Sequence, residues 1–481
     1  MAVEWSGLGP ELFVPLHRDS GQTLGSQLQV ALRRAIRDGR LTTGEKLPSS
    51  RRFAADLGVS RGLVQATYEQ LEAEGYLRAV AGSGTHVAFV RPQPPEPPVE
   101  QSKPARVDLD FSPGLPDLNS FPARDWLWAY GEATRGASAK DVDYGDAQGS
   151  LRLRQVAAAY LGRVRGTSVS PSNLVICGGF TQGLALTLAA LRRAGVAVVA
   201  VEDPGHHDMA RQVRAAGLEP TFVPVDSFGI DVDFLTTTSA TAVIVTPAHQ
   251  TPTGVVLAAD RRHALLGWAH TVGGTIIEDD YDSEFRYDKQ PVGALHGLGR
   301  EHVVLIGSVS KSLAPALRLG WVAAPADLVT RIAEVKDGRD RGSPTLDQLA
   351  LASLMESGRF DRHLRKMREV YSLRRHTLLQ ALHQHAPDVQ VSGLDAGFHA
   401  LATLPRGADE AQIVAEAADR HILLQGLQRY RSEPHPLLPG IVFGFGNINE
   451  GGIRRGVAAI HDLLRGSGDT LKPVAFPDRS S

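Results

Sequence analysis

Three short stretches near the amino terminus repeat apolar residues at helical spacing. In the first, Leu28, Leu32 and Ile36 recur every four residues, which places them on one face of a helix. Two further stretches, at residues 49–58 and 60–75, carry the same kind of apolar face. Small polar residues favour helix starts and glycines favour helix ends. The predicted boundary residues are Asp38-Gly39 for the first helix, Ser49 and Gly58 for the second, and Ser60 and Gly75 for the third.

Two β-type runs follow the third helix. Residues 76–80 and 85–88 are joined by Ala81-Gly82-Ser83-Gly84, a composition typical of a hairpin turn. Three helices followed by a hairpin predict a winged helix-turn-helix with Gly58 in the turn. This small fold is expected to occupy residues 12–90.

A dense run of prolines separates this segment from the rest of the chain. Prolines at this density permit neither a helix nor a central strand, so residues 91–107 are predicted to form an extended linker. Beyond it, short runs that are apolar on both faces alternate with helical stretches, which is typical of a mostly parallel sheet covered by helices. The runs are 174–177, 196–201, 241–246, 275–277 and 303–306. The sequence thus predicts an α/β domain over residues 108–466 and a disordered tail over 467–481.

Composition and overall charge exclude some kinds of site but do not indicate a function. Cys177 is the only cysteine among 481 residues, which excludes an intrachain disulfide and a cysteine-cluster metal site, and no metal is predicted. The formal net charge of -2 indicates no particular partner. Because no leader segment and no apolar run of membrane-spanning length is visible, we expect a cytoplasmic protein without a membrane partner.

Charge is concentrated locally in the amino-terminal segment. Residues 33–61 contain eight lysines and arginines against three acids, an excess of five positive charges. Ser60 and Arg61 open the third helix, with Gln65 one turn further on, as in helices that enter the major groove of DNA. A solvated basic surface on a small helical domain is the alternative reading of the charge alone.

The order of short motifs in this segment resembles the GntR family of bacterial transcription regulators. The segments Leu47-Pro48-Ser49-Ser50-Arg51, Leu57-Gly58-Val59-Ser60-Arg61 and Gly82-Ser83-Gly84-Thr85 carry the resemblance. It implies that operator DNA is contacted by the second helix, by the start of the third helix and by the glycine-bearing wing. The DNA-binding residues implied are Arg51, Ser60, Arg61, Gln65, Gly82, Ser83 and Gly84.

Lys311 is the most informative residue of the second domain. It follows the apolar run 303–306 and lies between hydroxyl groups, with Arg318 seven residues later. A lysine in this setting suits an aldehyde cofactor that carries a phosphate, because its amine can form a Schiff base while Ser308, Ser310 and Arg318 hold phosphate oxygens. A solvated lysine at a strand end is the alternative.

Three other segments bring matching chemistry. The glycine turn at 178–183 opens a helix, where backbone N–H groups can close around a phosphate. The acidic run 278–282 is predicted to end the strand at Ile277, and a buried carboxylate there can keep a pyridine nitrogen protonated. His206 also follows a strand, where an imidazole can stack on a flat ring; otherwise it is a surface histidine.

From about residue 110 to 464 the chain resembles fold-type I pyridoxal 5'-phosphate (PLP) enzymes of the class I aminotransferase group. Residues 114–117, 144–152 and 247–254 also match that group's motifs. The resemblance implies that Lys311 carries PLP as a Schiff base and that Asp279 pairs with the pyridine nitrogen. Tyr144 is implied to reach the phosphate of the partner subunit. The remaining cofactor-binding residues implied are Gly179, Phe180, His206, Tyr281, Ser308, Ser310 and Arg318.

A GntR-type head joined to an aminotransferase-like body resembles the MocR/GabR-type regulators. This layout implies a head-to-tail homodimer that senses PLP, alone or with an amino compound, and controls vitamin B6 or amino-acid and amine metabolism. The alternatives are an active aminotransferase with an accessory DNA-binding head, and a DNA-binding scaffold with an empty body.

Three departures from the aminotransferase pattern favour weak or no transamination. Gly440 stands where the substrate-carboxylate arginine is expected, Thr251 stands where transaminases have asparagine, and His206 replaces a stacked tyrosine. Arg429 and Arg431 are alternative carboxylate partners upstream of Gly440.

Overall fold

The computed structural model describes residues 16–18, 21–88, 106–287, 292–433 and 439–465. The chain forms two compact units, Met1–Pro104 and Ala105–Ser481, which we call the head and the body. Most of the predicted linker and the whole predicted tail lie outside the described residues. No helix within the described ranges combines the length and the apolar character needed to cross a membrane.

The head contains the three helices and the hairpin that the apolar pattern predicts. Ser49 and Ser60 cap the second and third helices through their side chains, and Gly58 ends the second in the left-handed conformation. The third helix ends at Ala73, two residues before the predicted Gly75. The elements are α1 (Leu24–Arg37), α2 (Ser50–Leu57), α3 (Arg61–Ala73), β1 (Leu77–Val80) and β2 (Gly84–Val87).

The body is built around an eight-stranded sheet in the order β4-β11-β10-β9-β8-β5-β6-β7. Among the described strands, β11 and β7 run opposite to the other six strands of this sheet, so the predicted mostly parallel sheet is confirmed. A four-stranded antiparallel sheet, β12-β13-β16-β15, and the pair β14-β3 complete the strands. The strands are β3 (Leu109–Asp110), β4 (Leu174–Cys177), β5 (Val198–Asp203), β6 (Glu219–Asp226), β7 (Gly229–Ile230), β8 (Ala242–Val245), β9 (Thr275–Asp280), β10 (Val303–Ser308), β11 (Gly320–Ala323), β12 (Gln390–Ser392), β13 (His399–Thr403), β14 (Ile422–Leu423), β15 (Gln425–Gly426) and β16 (Gly440–Gly444).

Helices bury the large sheet, which explains why its central strands are apolar on both faces. Every residue of β4, β8, β10 and β11 is buried. The body helices are α4 (Ala123–Gly136), α5 (Leu151–Arg165), α6 (Phe180–Arg193), α7 (Asp208–Ala215), α8 (Val232–Thr236), α9 (Ala259–Val272), α10 (His296–Gly299), α11 (Ala326–Asp340), α12 (Thr345–Glu356), α13 (Arg359–His385), α14 (Glu410–Asp419), α15 (Glu450–Ala459) and α16 (His461–Leu464).

One strand boundary differs from the sequence prediction in a way that matters for the site. The acidic run was expected to begin where the strand ends at Ile277, but β9 continues through Glu278, Asp279 and Asp280, and all three are buried. Alternation along the strand sends neighbouring carboxylates to opposite faces of the sheet. Asp279 and Asp280 therefore serve different environments.

Candidate functional site

Lys311 lies just beyond β10, in the loop that leads to the antiparallel strand β11. Its side chain is partly buried, and its Nζ donates a hydrogen bond to the backbone carbonyl of Gly114. Burial lowers the pKa of Lys311, although the carboxylates of Asp279 and Asp282 oppose this effect. A lysine amine with a lowered pKa is more readily deprotonated, which is the form that attacks an aldehyde.

Asp279 lies on the neighbouring strand, paired in register with Ile306 of β10. The side chain is buried, and its Oδ1 has no hydrogen-bond partner among the described residues. Burial, followed by the charge of Asp280, raises the pKa of Asp279 well above its ordinary value, and Lys311 opposes the shift. An orphaned buried carboxylate oxygen is costly in a folded protein. A protonated pyridine nitrogen would supply the missing donor, so this residue fits the pyridine ring of PLP.

Tyr281 is fixed by two neighbours from the loop after β8. Its hydroxyl donates to the backbone carbonyl of His249 at 2.8 Å and accepts from Thr251 Oγ1 at 2.7 Å. Burial raises the pKa of Tyr281 well above its ordinary value, so the phenol stays protonated. Thr251, which the sequence identifies as a departure from asparagine, thus orients the phenol that is expected to contact the ring oxygen of PLP.

Sequence reasoning missed a buried polar cluster beside Tyr281. His249 Nδ1 lies 2.8 Å from Asp282 Oδ2, and the His249 ring packs on His399 with 4.5 Å between ring centroids. All three side chains are buried. One ring nitrogen of each histidine and one carboxylate oxygen of Asp282 all lie within 4.8 Å of one another. His249 lies in the loop motif Pro247-Ala248-His249-Gln250, which the sequence already marks as notable. His399 lies on β13, about 150 residues later, so the sequence alone could not show that the two histidines are in contact.

The expected phosphate residues converge where β4, β10 and β11 meet. Gly179 caps α6 with a φ of 86°, and a Cβ added there would lie 3.4 Å from Arg318 Nη1. Gly320 pairs in register with Ser308. A Cβ added at Gly320 would lie 2.9 Å from Gly179 Cα and 3.2 Å from Ser308 Cβ, so Ser308 and Gly179 flank the same glycine. Arg318 itself has left-handed backbone, with φ 51° and ψ 46°.

This arrangement is a cradle for an anion. The amino end of α6 presents backbone N–H groups, and the guanidinium of Arg318 faces them across a glycine that leaves space for a ligand. Phe180 begins the helix and is partly buried, and Ser310 is partly buried in the loop before Lys311. The structure therefore brings Gly179, Ser308 and Arg318 to one corner of the body.

His206 and Tyr144 lie at more open positions. The His206 ring stacks on His207 with centroids 4.8 Å apart, and desolvation by the surrounding protein, followed by the charges of His207 and Lys311, lowers the pKa of His206 to about 4. Tyr144 is 74% exposed, and its ring lies 6.0 Å from the Arg341 guanidinium carbon. An exposed tyrosine at this position is available to a second chain.

Gly440 stands where aminotransferases use an arginine, and a side chain there would be tightly packed. It opens β16, and a Cβ added there would lie 3.0 Å from Leu401 Cδ1 and 3.2 Å from the carbonyl of Ala402. Arg429 instead reaches towards the stacked histidines, with Nη2 3.4 Å from His207 Nε2. Arg429 therefore lies beside the His206–His207 pair.

In the head, much of the predicted basic excess is used internally. Several of the arginines counted in this excess have partners within the head, so the excess that faces DNA stays a prediction. These pairs are Arg33 with Glu74 at 2.6 Å, Arg34 and Arg40 with Asp38 at 3.6 and 3.4 Å, and Arg37 with the hydroxyl of Tyr76 at 2.9 Å.

Arg51 and Arg61 behave differently from these paired arginines. Both are exposed, and neither forms an ion pair with another residue in the part of the chain that the structure describes. The hydroxyl of Ser60 accepts from the N–H of Leu63, so this side chain is committed to capping α3. The exposed Gln65 contacts Glu69 at 3.0 Å. The first turn of α3 and the start of α2 therefore present free guanidinium groups.

The wing is a tight turn between β1 and β2. Gly82 and Gly84 have φ of 75° and 102°, which side chains rarely adopt, so the two glycines permit the turn. Ser83 contacts His86 Nε2 at 2.9 Å and thereby braces the turn from inside. All the predicted DNA-binding residues lie within the head.

Two family matches divide the chain into the same two parts as the head and the body. Residues 24–87 match the family of bacterial regulatory proteins of the gntR type. Residues 110–433 match the family of class I and II aminotransferases. The second match covers more than half of the chain, so the body belongs to the aminotransferase class I and II family.

Curated relatives share both parts in the same order. The chain is 32% identical to the HTH-type pyridoxine biosynthesis transcriptional regulator PdxR of Corynebacterium glutamicum over 94% of this chain and 99% of the relative. It is 29% identical to the probable rhizopine catabolism regulatory protein MocR of Rhizobium meliloti, over 93% and 95% of the two chains.

Solved structures resemble the body. An archaeal alanine:glyoxylate aminotransferase superimposes with a TM-score of 0.68 at 25% identity, covering 74% of this chain and 90% of the other. An aminotransferase fold therefore follows a gntR-type head within one polypeptide, as in the full-length regulators above. The chain belongs to the MocR-type subfamily of GntR transcriptional regulators.

Proposed function

We propose that this regulator senses PLP bound at Lys311 and that the head reports the bound state to operator DNA. The observation that carries the proposal is the buried, unpartnered Oδ1 of Asp279 in the same pocket as Lys311. The anion cradle between Gly179 and Arg318 supports a phosphate group on the same ligand.

Each pocket residue has a distinct role in this proposal. Asp279 would hold the proton of the pyridine nitrogen, and the hydroxyl of Tyr281 would contact the ring oxygen. Arg318, Ser308, Ser310, Gly179 and Phe180 hold the phosphate, while His206 covers the ring and Tyr144 contributes from the partner of a head-to-tail homodimer. PLP supplies an aldehyde that a lysine amine captures covalently, so its presence is recorded on the protein itself.

A ligand changes DNA binding only if it binds two arrangements of the protein unequally. We propose that PLP favours one arrangement of body and heads in a homodimer that acts on DNA in the cytoplasm. The relative named for pyridoxine biosynthesis supports vitamin B6 genes as the target. Glycine in place of the carboxylate arginine at position 440 supports PLP as a sufficient signal, with an amino compound as a further effector bound near Arg429.

A catalytic aminotransferase is the second candidate, because lysine, aspartate and tyrosine are all present in the pocket. It predicts steady conversion of amino acids to oxo acids by the PLP-loaded chain. Gly440 argues against efficient conversion, since bidentate recognition of a carboxylate by arginine is hard to replace.

The test is a gel shift on the DNA upstream of the protein's own gene, with and without PLP. We expect PLP to change the affinity of the wild-type chain for DNA and to have no effect on Lys311→Ala. Borohydride should fix the cofactor on wild-type Lys311 and leave Lys311→Ala unlabelled. The matched control is Lys366→Ala, an exposed lysine on α13, which should behave as wild type.

Equal DNA affinity with and without PLP in the wild-type chain would reject the sensor. Steady transamination at ordinary enzyme rates, on the order of 1 per second or faster, would favour the second candidate.

A further inference from the structure

A second cavity of the body has chemistry of its own. It has a volume of about 710 Å³ and lies between the end of α5, residues 283–286 and the first half of α13. None of the residues assigned above to PLP lines it. Five arginines line it, together with the acids Glu284 and Asp361. The arginines are Arg163, Arg165, Arg286, Arg365 and Arg368.

Several buried donors in the cavity wall have no acceptor among the described residues. These atoms are Arg286 Nε and Nη1, Arg165 Nη2 and Ser283 Oγ. Arg286 is 7% exposed and Arg165 is 2% exposed, so both side chains are buried in the wall. A buried donor without an acceptor costs about 1–3 kcal/mol, and more when it is charged. Three side chains around one cavity therefore carry donors without an acceptor, which indicates that a ligand with acceptor oxygens is missing.

Within the described ranges, the acids around the cavity pair with only two of its five arginines. Asp361 pairs with Arg163 at 2.9 Å, and Asp280 pairs with Arg165 at 2.8 Å from behind the wall. Glu284 accepts a hydrogen bond from Tyr160, and burial followed by the charge of Asp280 raises the pKa of Glu284. Its negative charge is therefore weakened at neutral pH.

Arg286 forms no ion pair within the part of the chain that the structure describes. Burial lowers its pKa, and the carboxylates of Asp395 and Asp282 oppose this without forming an ion pair with Arg286 among the described residues. Arg365 and Arg368 add exposed positive charge at the rim, where Arg368 donates to the backbone carbonyl of Glu284 at 2.9 Å. The cavity is thus positive from wall to rim.

We propose that this cavity is a binding site for a small organic oxyanion, a phosphate ester or a polycarboxylate, separate from the PLP pocket. The planar fork of Arg286 matches carboxylate and phosphate oxygens, and Ser283 supplies a further donor. The volume falls in the range of small-molecule sites, about 300–1,000 Å³, and far exceeds that of inorganic phosphate. A ligand there would give the regulator a second chemical input. The site lies close in sequence to the PLP pocket, because Ser283 in its wall is two residues after Tyr281.

Calorimetric titration of the full-length chain tests this site. Three probes are titrated, namely citrate, glycerol 3-phosphate and inorganic phosphate, each into protein with and without PLP fixed on Lys311 by borohydride. We expect citrate or glycerol 3-phosphate to bind with one site per chain in both forms, because the cavity is separate from Lys311. Arg286→Gln should weaken that binding at least about tenfold, and the two organic probes distinguish a polycarboxylate site from a phosphate-ester site.

Matched variants keep the result interpretable. Arg362→Gln, an exposed arginine on α13 that does not line the cavity, should bind as wild type. If Arg286→Gln fails to fold, Ser283→Ala and the exposed rim variant Arg365→Gln carry the test, each with weaker binding expected. The proposal is overturned if no organic probe binds, if inorganic phosphate binds as tightly as both organic probes, or if the folded cavity variants bind like wild type. Failure of PLP labelling leaves the titration of unlabelled protein as an independent result.

Discussion

Asp279 and Lys311 illustrate how burial prepares single residues for a ligand. Burial disfavours the charged form of both groups, raising the pKa of the carboxyl and lowering that of the amine, while each charge partly restores the other. The pair is therefore under electrostatic strain in the protein alone. A cofactor that offers a pyridine N–H to one residue and an aldehyde to the other relieves both.

Asp279→Asn should weaken PLP binding by at least about tenfold, equivalent to roughly 1.4 kcal/mol. A neutral amide cannot stabilise a protonated pyridine nitrogen as a carboxylate does. The dissociation constant from an absorbance titration measures the change. Asp327→Asn, at an exposed position in the first turn of α11, is the control and should bind as wild type. Equal affinity of Asp279→Asn and wild type would contradict the assigned role.

Asp279→Asn should weaken PLP binding, but we expect it to stabilise the fold of the protein that carries no cofactor. The pKa of Asp279 is raised above its unfolded value of about 3.9, so its contribution to stability is fully present below that pH and is lost as pH rises through the folded pKa. Asparagine carries no charge at any pH. The melting temperature of PLP-free Asp279→Asn should thus exceed that of wild type by a few degrees at pH 8. The difference should shrink towards pH 4; a constant difference across this range would point to packing instead of charge.

At the scale of helices and strands, the sequence predicts most of what the structure contains. Helix caps such as Ser49 and the apolar strands are local signals, and the structure confirms them. The extension of β9 through Glu278 to Asp280 was not predictable, because charged residues at a strand end look like a solvated loop until the surrounding helices are known. The His249–His399 contact and the Arg33–Glu74 pair also join segments distant in sequence, which periodicity cannot align.

Free and paired arginines of the head should differ in DNA binding. Arg61→Gln should reduce the salt dependence of operator affinity by about one unit of log–log slope per head, because one phosphate contact is lost. Arg40→Gln removes a charge that Asp38 already neutralises, so its slope should stay close to wild type. Binding measured by fluorescence anisotropy between roughly 50 and 200 mM salt gives both slopes. The assignment fails if Arg40→Gln lowers the slope and Arg61→Gln does not.

At the scale of the whole molecule, a monomer does not complete the proposed sensor. Tyr144 is 74% exposed and is proposed to serve the phosphate of the other chain. The sites of a head-to-tail dimer are then shared, with the lysine from one protomer and the tyrosine from its partner. Shared sites make the cofactor-bound state a property of the dimer, which matches the use of two heads on DNA.

Complementation between two defective chains tests the shared site. Lys311→Ala chains lack the amine, and Tyr144→Ala chains should hold PLP weakly. A mixed dimer restores one intact site, formed by the lysine of the second variant and the tyrosine of the first. We expect co-expressed, purified mixed dimers to bind one PLP per two chains at near wild-type affinity. Binding no tighter than that of Tyr144→Ala alone would exclude a contribution from the partner.

The left-handed backbone at Arg318 has a consequence for how a signal can leave the pocket. A non-glycine residue in this conformation costs about 1–3 kcal/mol, and the protein bears that cost before any ligand arrives. The backbone that carries the guanidinium is thus already shaped before a phosphate arrives. In the proposed sensor this residue would anchor the cofactor, and we expect the movement that reaches the DNA to originate on the opposite, ring-facing side of the chamber.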